Sequence, residues 1–114
     1  MSDDDRTDLG GGYSYSFVGW DPDRELNPQY EGIPSVERCG IMLYHDDIVI
    51  GAPWFDTPET RAIPWAGKRN FWTVVSYDPL HIEPSIQTYR FDPTTKEHIP
   101  DHHGWIRDGK WVPA

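Results

Sequence analysis

Apolar and polar residues alternate most clearly in the last third of the chain. Phe71 to Tyr77 reads FWTVVSY, a run of aromatic and β-branched residues suited to a pleated, half-buried surface, and it predicts a strand. Phe71, Thr73, Val75 and Tyr77 share one face and Trp72, Val74 and Ser76 the other, so apolar groups on both sides predict a central strand covered twice. Asp78-Pro79 breaks it. Leu80 to Ile82 alternates again, Pro84 predicts an edge, bulge or bend, and Ser85 to Phe91 resumes. Ile86 keeps the phase of Leu80 and Ile82 whereas Tyr89 and Phe91 do not, and a bulge or crossover near Gln87 reconciles them. The strongest local signal is WIRDGKWV, Trp105 to Val112: Asp108-Gly109 favours a type I′ turn, which sets Arg107 opposite Lys110, Ile106 opposite Trp111 and Trp105 opposite Val112. Two like charges then flank the turn, and an acidic neighbour is expected beside them.

Upstream the pattern is weaker. Tyr13 to Trp20 (YSYSFVGW) predicts a first strand. Residues 21–34 carry three prolines and predict an ordered loop with at most one helical turn near Arg24 to Leu26, anchored by Tyr30. Arg38 to Gly51 predicts a hairpin with its tip at His45-Asp46-Asp47; without glycine there, a loop of three or more residues is expected, with Ile41, Leu43, Ile48 and Ile50 as its core face. Thr57-Pro58-Glu59 is the one good helix start, and Pro64 stops that helix early. Trp65 to Asn70 predicts a turn with the basic pair Lys68-Arg69. Residues 1–12 (MSDDDRTDLGGG) are too polar to offset their ordering entropy and predict a flexible acidic arm. The whole is a single mainly β domain, 13–114, of about six or seven short antiparallel strands with long Pro-rich loops, at most one short helix, and a C-terminal hairpin.

Composition narrows the function classes. With 114 residues the chain can bury one modest core. No apolar run approaches the ~20 residues of a membrane span and no signal-peptide pattern is present, so a soluble protein not exported by that route is expected. The single Cys39 excludes an internal disulfide and a cysteine zinc site; it reads as a small buried hydrophobe in preference to a reactive thiol. Net charge is −9: residues 1–60 hold 13 acids and 3 bases, residues 61–114 hold 6 acids and 7 bases. Such a chain repels phosphate, which disfavours nucleic-acid binding. The acids serve as a solvated surface or as a face for a basic partner; Asp3, Asp4, Asp5 and Asp8 of the arm are the candidates for the second role.

Candidate chemistry is sparse. His98, His102 and His103 with Asp101 form the one metal-like cluster, but neighbours in an extended segment point apart, so His102 and His103 do not share an ion, and His98 meets His102 only if Ile99-Pro100-Asp101 turns. No cofactor is expected, zinc being the one candidate. His81-x-Glu83 matches half of a zinc-deaminase signature whose cysteines are missing. Ser85 lacks a nucleophile elbow, and Gly10-Gly11-Gly12 lacks the lysine and helix of a phosphate loop. His45-Asp46-Asp47 reads as a solvated turn before a cation site.

The pattern W-x-V-x-S-x-D-P-L-x-I-x-P-S-I (from Trp72), followed by H-G-W-I-R-D-G-K-W-V-P-A (from His103), resembles a family of short proteins of unknown function, many encoded by tailed bacteriophages. Asp21 to Gly40 (DPDRELNPQYEGIPSVERCG) is similar to that family's amino-terminal half. Many members carry zinc-ligand-like cysteines before the H-G motif; here that spacer has none, and of the site only His103 has a counterpart. The resemblance implies a phage origin more than an activity; taken with the missing catalytic motifs and the acidic arm, it leads us to expect a non-enzymatic phage protein with a structural or interaction role, such as a capsid decoration or accessory protein. It would sit in the virion or host cytoplasm, with capsid or other virion subunits, or its own copies, as partners. The alternatives are a metal-binding adaptor that has lost most of its ligands, and an acidic inhibitor that mimics nucleic acid and therefore spaces its carboxylates along one face.

Overall fold

The structure is a computed structural model and describes residues 6–114. Among them, nine strands form one sheet: β1 (Thr7–Gly10), β2 (Tyr13–Trp20), β3 (Val36–His45), β4 (Ile48–Gly51), β5 (Trp54–Phe55), β6 (Phe71–Tyr77), β7 (Leu80–Asp92), β8 (Glu97–Arg107) and β9 (Lys110–Pro113). The order is β1-β2-β3-β5-β6-β7-β8-β9, with β4 paired to β3 off this path, and the sheet curls into a nearly closed barrel. One short helix, α1 (Pro58–Arg61), is capped by the Thr57 hydroxyl, which accepts from the Thr60 N–H, with Pro58 in the first turn as expected. Pairing is antiparallel except between β5 and β6, which run parallel across the α1 crossover.

The mainly β character is as the alternation predicts; the strand count and lengths are not. Nine strands replace six or seven, and β3, β7 and β8 have 10, 13 and 11 residues. Three physical causes account for the difference. Pro84 bends the chain at a register shift between Ile82 and Ile86 without ending the strand, so two predicted pieces merge into β7. The polar run EHIPDHH is extended as the first part of β8, because β7 supplies its hydrogen bonds where its own residues bury little. Thr7–Gly10, part of the segment read as flexible, pairs with β2 because Leu9 drives into the core.

Leu9, Tyr15, Ile41, Leu43, Phe55, Leu80, Ile82, Ile86, Ile106 and Trp111 fill the barrel. A second cluster of Val36, Cys39, Ile63 and Ala66 lies under α1, walled by Trp20, Trp54, Trp65 and Phe71. Cys39 is fully buried, its thiol donates to the Val18 carbonyl, and burial pushes its pKa up, as suits a core residue. The expected double cover of β6 is corrected: Val75 is 60% exposed and Thr73 faces solvent, while a register shift between Val74 and Ser76 turns Tyr77 inward beside Trp72 and Val74.

The two hairpin tips differ from each other in an instructive way. At Asp108-Gly109 the registers Arg107–Lys110, Ile106–Trp111 and Trp105–Val112 are those read from the sequence. Both turn residues have positive φ (51° and 75°), and the Gly109 N–H donates to the Leu80 carbonyl at 2.8 Å. The acidic neighbour is Glu83, 3.6 Å from the Arg107 guanidinium. At the other tip the expected longer loop is corrected: His45 pairs with Ile48, leaving a two-residue turn of Asp46 and Asp47, both at positive φ (49° and 69°). Aspartate tolerates this backbone better than most residues, and the Asp46 N–H donates to the Gly12 carbonyl while Arg6 pairs with Asp47 at 2.6 Å. Ile48 points outward there, so the core face of that hairpin is Ile41, Leu43 and Ile50. In the loop before β3 the helical turn falls at Pro28–Tyr30, and Tyr30 packs edge-on against Trp20 as its anchor. No helix among the described residues is long and apolar enough to cross a membrane.

Candidate functional site

The β7–β8 hairpin changes character along its length. Leu80, Ile82, Ile86 and Thr88 all point into the barrel and are buried. The inward phase thus continues past Gln87, and the same alternation leaves Tyr89 and Phe91 on the outside, 58% and 53% exposed. From Tyr89 to Pro100 the hairpin is a two-stranded ribbon with solvent on most of its surface. On the side of β7 away from β8, strand pairing with β6 ends at Glu83. Past Glu83 no strand among the described residues pairs with that side, and Gly51 packs there against the buried Thr88, where a Cβ on the glycine would lie 3.4 Å from the threonine methyl. Beyond Thr88 the edge is open. The radius of gyration, 15.4 Å, exceeds the roughly 13 Å expected of a compact chain of this length, consistent with a ribbon that extends from the barrel.

The ribbon's side chains are ordered by cross-strand contacts. Phe91 stands opposite His98, their rings 5.4 Å apart and edge-to-face. Arg90 and Asp92 share the opposite face. The Asp92 carboxylate accepts from the Thr94 N–H at 2.9 Å, and this bond, assisted by Thr95 and Arg90, holds its pKa below the usual range. At the ribbon's root two clefts of about 240 and 390 Å³ share Trp72, Gln87 and Tyr89 in their walls. Two of their polar side chains are already committed: the Trp72 indole N–H donates to the Ser85 carbonyl, and the Gln87 amide donates to the Thr88 and His102 carbonyls.

The histidines singled out by sequence are dispersed. Ile99-Pro100-Asp101 is extended inside β8, so the turn that a shared His98–His102 site requires is absent. His98 lies on Phe91. His102 turns inward, its Nδ1 2.8 Å from the Tyr13 hydroxyl. His103 turns outward from β8, its Nε2 3.3 Å from the Ser85 hydroxyl. Among the described residues, no three His, Cys, Asp or Glu side chains converge in a way that could hold a metal ion. Ser85 and His103 do meet, but among the described residues no carboxylate pairs with that imidazole; His45, His81 and His102 take the histidine ion pairs. His81 and Glu83 meet at 3.0 Å on the outer face of the hairpin, as alternating outward residues do.

A cluster the sequence does not announce lies at the end of the barrel beside the Asp46-Asp47 turn. Tyr13 stacks on Trp111 at 4.3 Å, and the His45 ring lies 4.5 Å from Tyr13 and 4.7 Å from His102. Asp46 and Asp101 sit 3.5 Å from the two imidazoles. Burial, then the charges of Asp101 and Asp46, raise the Tyr13 pKa. The cluster joins three distant stretches of chain and serves as a polar clasp across β2, β3 and β8. Of the arm's aspartates, Asp8 is exposed on β1 and accepts from the Gly10 N–H; Asp3, Asp4 and Asp5 lie outside the described residues.

No family model, no curated protein and no solved structure matches the chain.

Proposed function

We propose that this is a non-enzymatic interaction protein whose contact surface is the distal β7–β8 ribbon. The observation that carries the reading is the pair of aromatic side chains, Tyr89 and Phe91, held outward on a strand whose edge is open beyond Thr88. Exposed strand edges recruit further strands, and aromatic residues on them supply contact area at low entropic cost. An isolated two-stranded ribbon is marginal in water, so added strands or a covering surface stabilise it. The resemblance in residues 21–40, 72–86 and 103–114 supports a phage-encoded accessory protein, and hence virion subunits as the larger partner. The acids favour a basic face on that partner.

The test is co-sedimentation with purified phage particles. The wild-type protein is expected to pellet with particles, and Tyr89→Ser/Phe91→Ser is expected to stay in the supernatant while keeping its melting temperature. Removal of residues 1–5 separates the contribution of Asp3, Asp4 and Asp5 without touching Leu9. Equal pelleting of wild type and the double variant assigns the contact elsewhere; absence of the wild-type protein from particles overturns the virion role.

A further inference from the structure

Resting on that reading of the ribbon, we infer that its first partner is a second copy of this chain, joined antiparallel along β7 about a two-fold axis centred on Phe91. The part of this unpaired edge that stands clear of the barrel runs from Tyr89 to Asp92, because Thr88 is still buried at the barrel wall beside Gly51 and Pro93 offers no backbone N–H beyond. A two-fold axis perpendicular to the sheet places outward residues opposite outward residues, so the axis passes through a residue. Only three centres fall on the open edge short of its end. Centred on Tyr89, the pairing runs back into the buried Thr88 and across the register shift at Gln87. Centred on Arg90, it sets two guanidinium groups directly opposite each other, and like charges in that position destabilise a sheet. Centred on Phe91, it sets Arg90 opposite Asp92 of the second copy, twice, and Phe91 against Phe91.

That register satisfies both faces of the strand. On one face Arg90 and Asp92 of each copy alternate in sign around a square, each charge having an opposite neighbour along its own strand and another across the pair. On the other face the existing Phe91–His98 pair is continued into a row of four rings, His98–Phe91–Phe91–His98, across a four-stranded sheet β8-β7-β7-β8. Tyr89 of each copy flanks Phe91 of the other on the diagonal, within reach of aromatic side chains. The two ribbons cease to be isolated, and the exposed aromatics of each are covered by their own symmetry mates.

Sedimentation velocity on the full-length protein over a range of concentrations tests this with a charge exchange. The wild type is expected to shift from monomer to dimer as concentration rises. Arg90→Asp sets carboxylate against carboxylate at both pairs across the axis, and Asp92→Arg sets guanidinium against guanidinium. Each alone is therefore expected to weaken association at least about tenfold. Mixed in equal amounts, the two carboxylates of the first variant meet the two guanidiniums of the second, and a heterodimer is expected. Circular dichroism checks that each variant keeps the wild-type fold. A Phe91→Cys protein, which is expected to form a disulfide-linked dimer under mild oxidant where Thr95→Cys does not, reports the register without altering charge. A wild type monomeric at every concentration, single variants that still dimerise, or folded variants that fail to recombine overturns the inference. If the wild type is monomeric yet Tyr89→Ser/Phe91→Ser abolishes particle binding, the ribbon remains an interaction surface and only its self-pairing is lost.

Discussion

Between Leu80 and Thr88, β7 buries four inward side chains, Leu80, Ile82, Ile86 and Thr88; between Tyr89 and Asp92 it buries none. The same strand, with the same partner β8, is therefore a barrel wall at one end and an open ribbon at the other. Backbone pairing is common to both ends, so pairing does not make the difference. What differs is whether apolar side chains have a second layer to enter. At the barrel end Ile82, Ile86 and Ile106 share a core with Tyr15, Leu43, Phe55 and Trp111, and burial of each such side chain is worth about 1.5–3 kcal/mol. At the ribbon end the aromatic residues face water, and their free energy is gained only on association. Stability is lodged in one half of the hairpin and recognition in the other.

The largest expected effect separates these halves outright. Ile82→Ala, at a fully buried position, is expected to cost about 2–5 kcal/mol in urea unfolding, whereas Phe91→Ala in dilute protein is expected to change stability by less than about 0.5 kcal/mol. Comparable losses at both positions would erase the distinction. Next in size is Gly109→Ala, about 1 kcal/mol or more, because a residue with a Cβ is strained at this positive φ and the added atom would lie 3.0 Å from the Pro79 Cβ. The cost should appear as a lowered denaturation midpoint with unchanged oligomeric state.

A smaller effect is expected at the polar clasp. Tyr13→Phe removes the hydroxyl that meets His102 and is expected to cost about 0.5–1.5 kcal/mol. The Tyr13 pKa is raised in the folded protein, so the neutral phenol is favoured there. Its contribution is full below the unfolded tyrosine value and is lost as pH rises through the folded one. Thermal melts of the wild type should therefore fall on the alkaline side more steeply than those of Tyr13→Phe, and parallel curves would contradict the assignment. The smallest effect belongs to Asp92. Its pKa is lowered in the folded ribbon, so the turn that it closes is intact above the ordinary carboxylate range and loosens as pH falls through the folded value. In an NMR titration the Thr94 amide shift is expected to follow Asp92 while barrel resonances stay still.

Much of the barrel half is legible in the chain, and the reasons are local. Asp108-Gly109 dictates its own turn type, and that turn fixes the register of Trp105 to Val112 without help from the rest of the fold. Thr57-Pro58 likewise carries its own helix start. The ribbon half is harder to read, because period-two alternation marks a face without saying which face is inside. Tyr89 and Phe91 invite a bulge to bring them into phase, whereas their opposite phase to Leu80, Ile82 and Ile86 is itself the sign of outward aromatics. The His45–Tyr13–His102 cluster is illegible for another reason: it depends on β2, β3 and β8 meeting at one barrel end, which no local pattern encodes. Asp46-Asp47 forms its tight turn against the glycine rule because Gly12 and Arg6 hold it from outside the hairpin.

Native-state hydrogen exchange across β7 and β8, measured in dilute and in concentrated protein, tests the division of labour most directly. In dilute protein, amides from Leu80 to Thr88 and from Gly104 to Arg107 are expected to exchange only through global unfolding, while those from Tyr89 to Asp92 and from Glu97 to Ile99 exchange through far cheaper local opening. At high concentration the amides of Tyr89, Arg90, Phe91 and Asp92 are expected to gain protection while the barrel amides do not change. Uniform protection along the whole hairpin in dilute protein, at the level of global unfolding, would contradict the account.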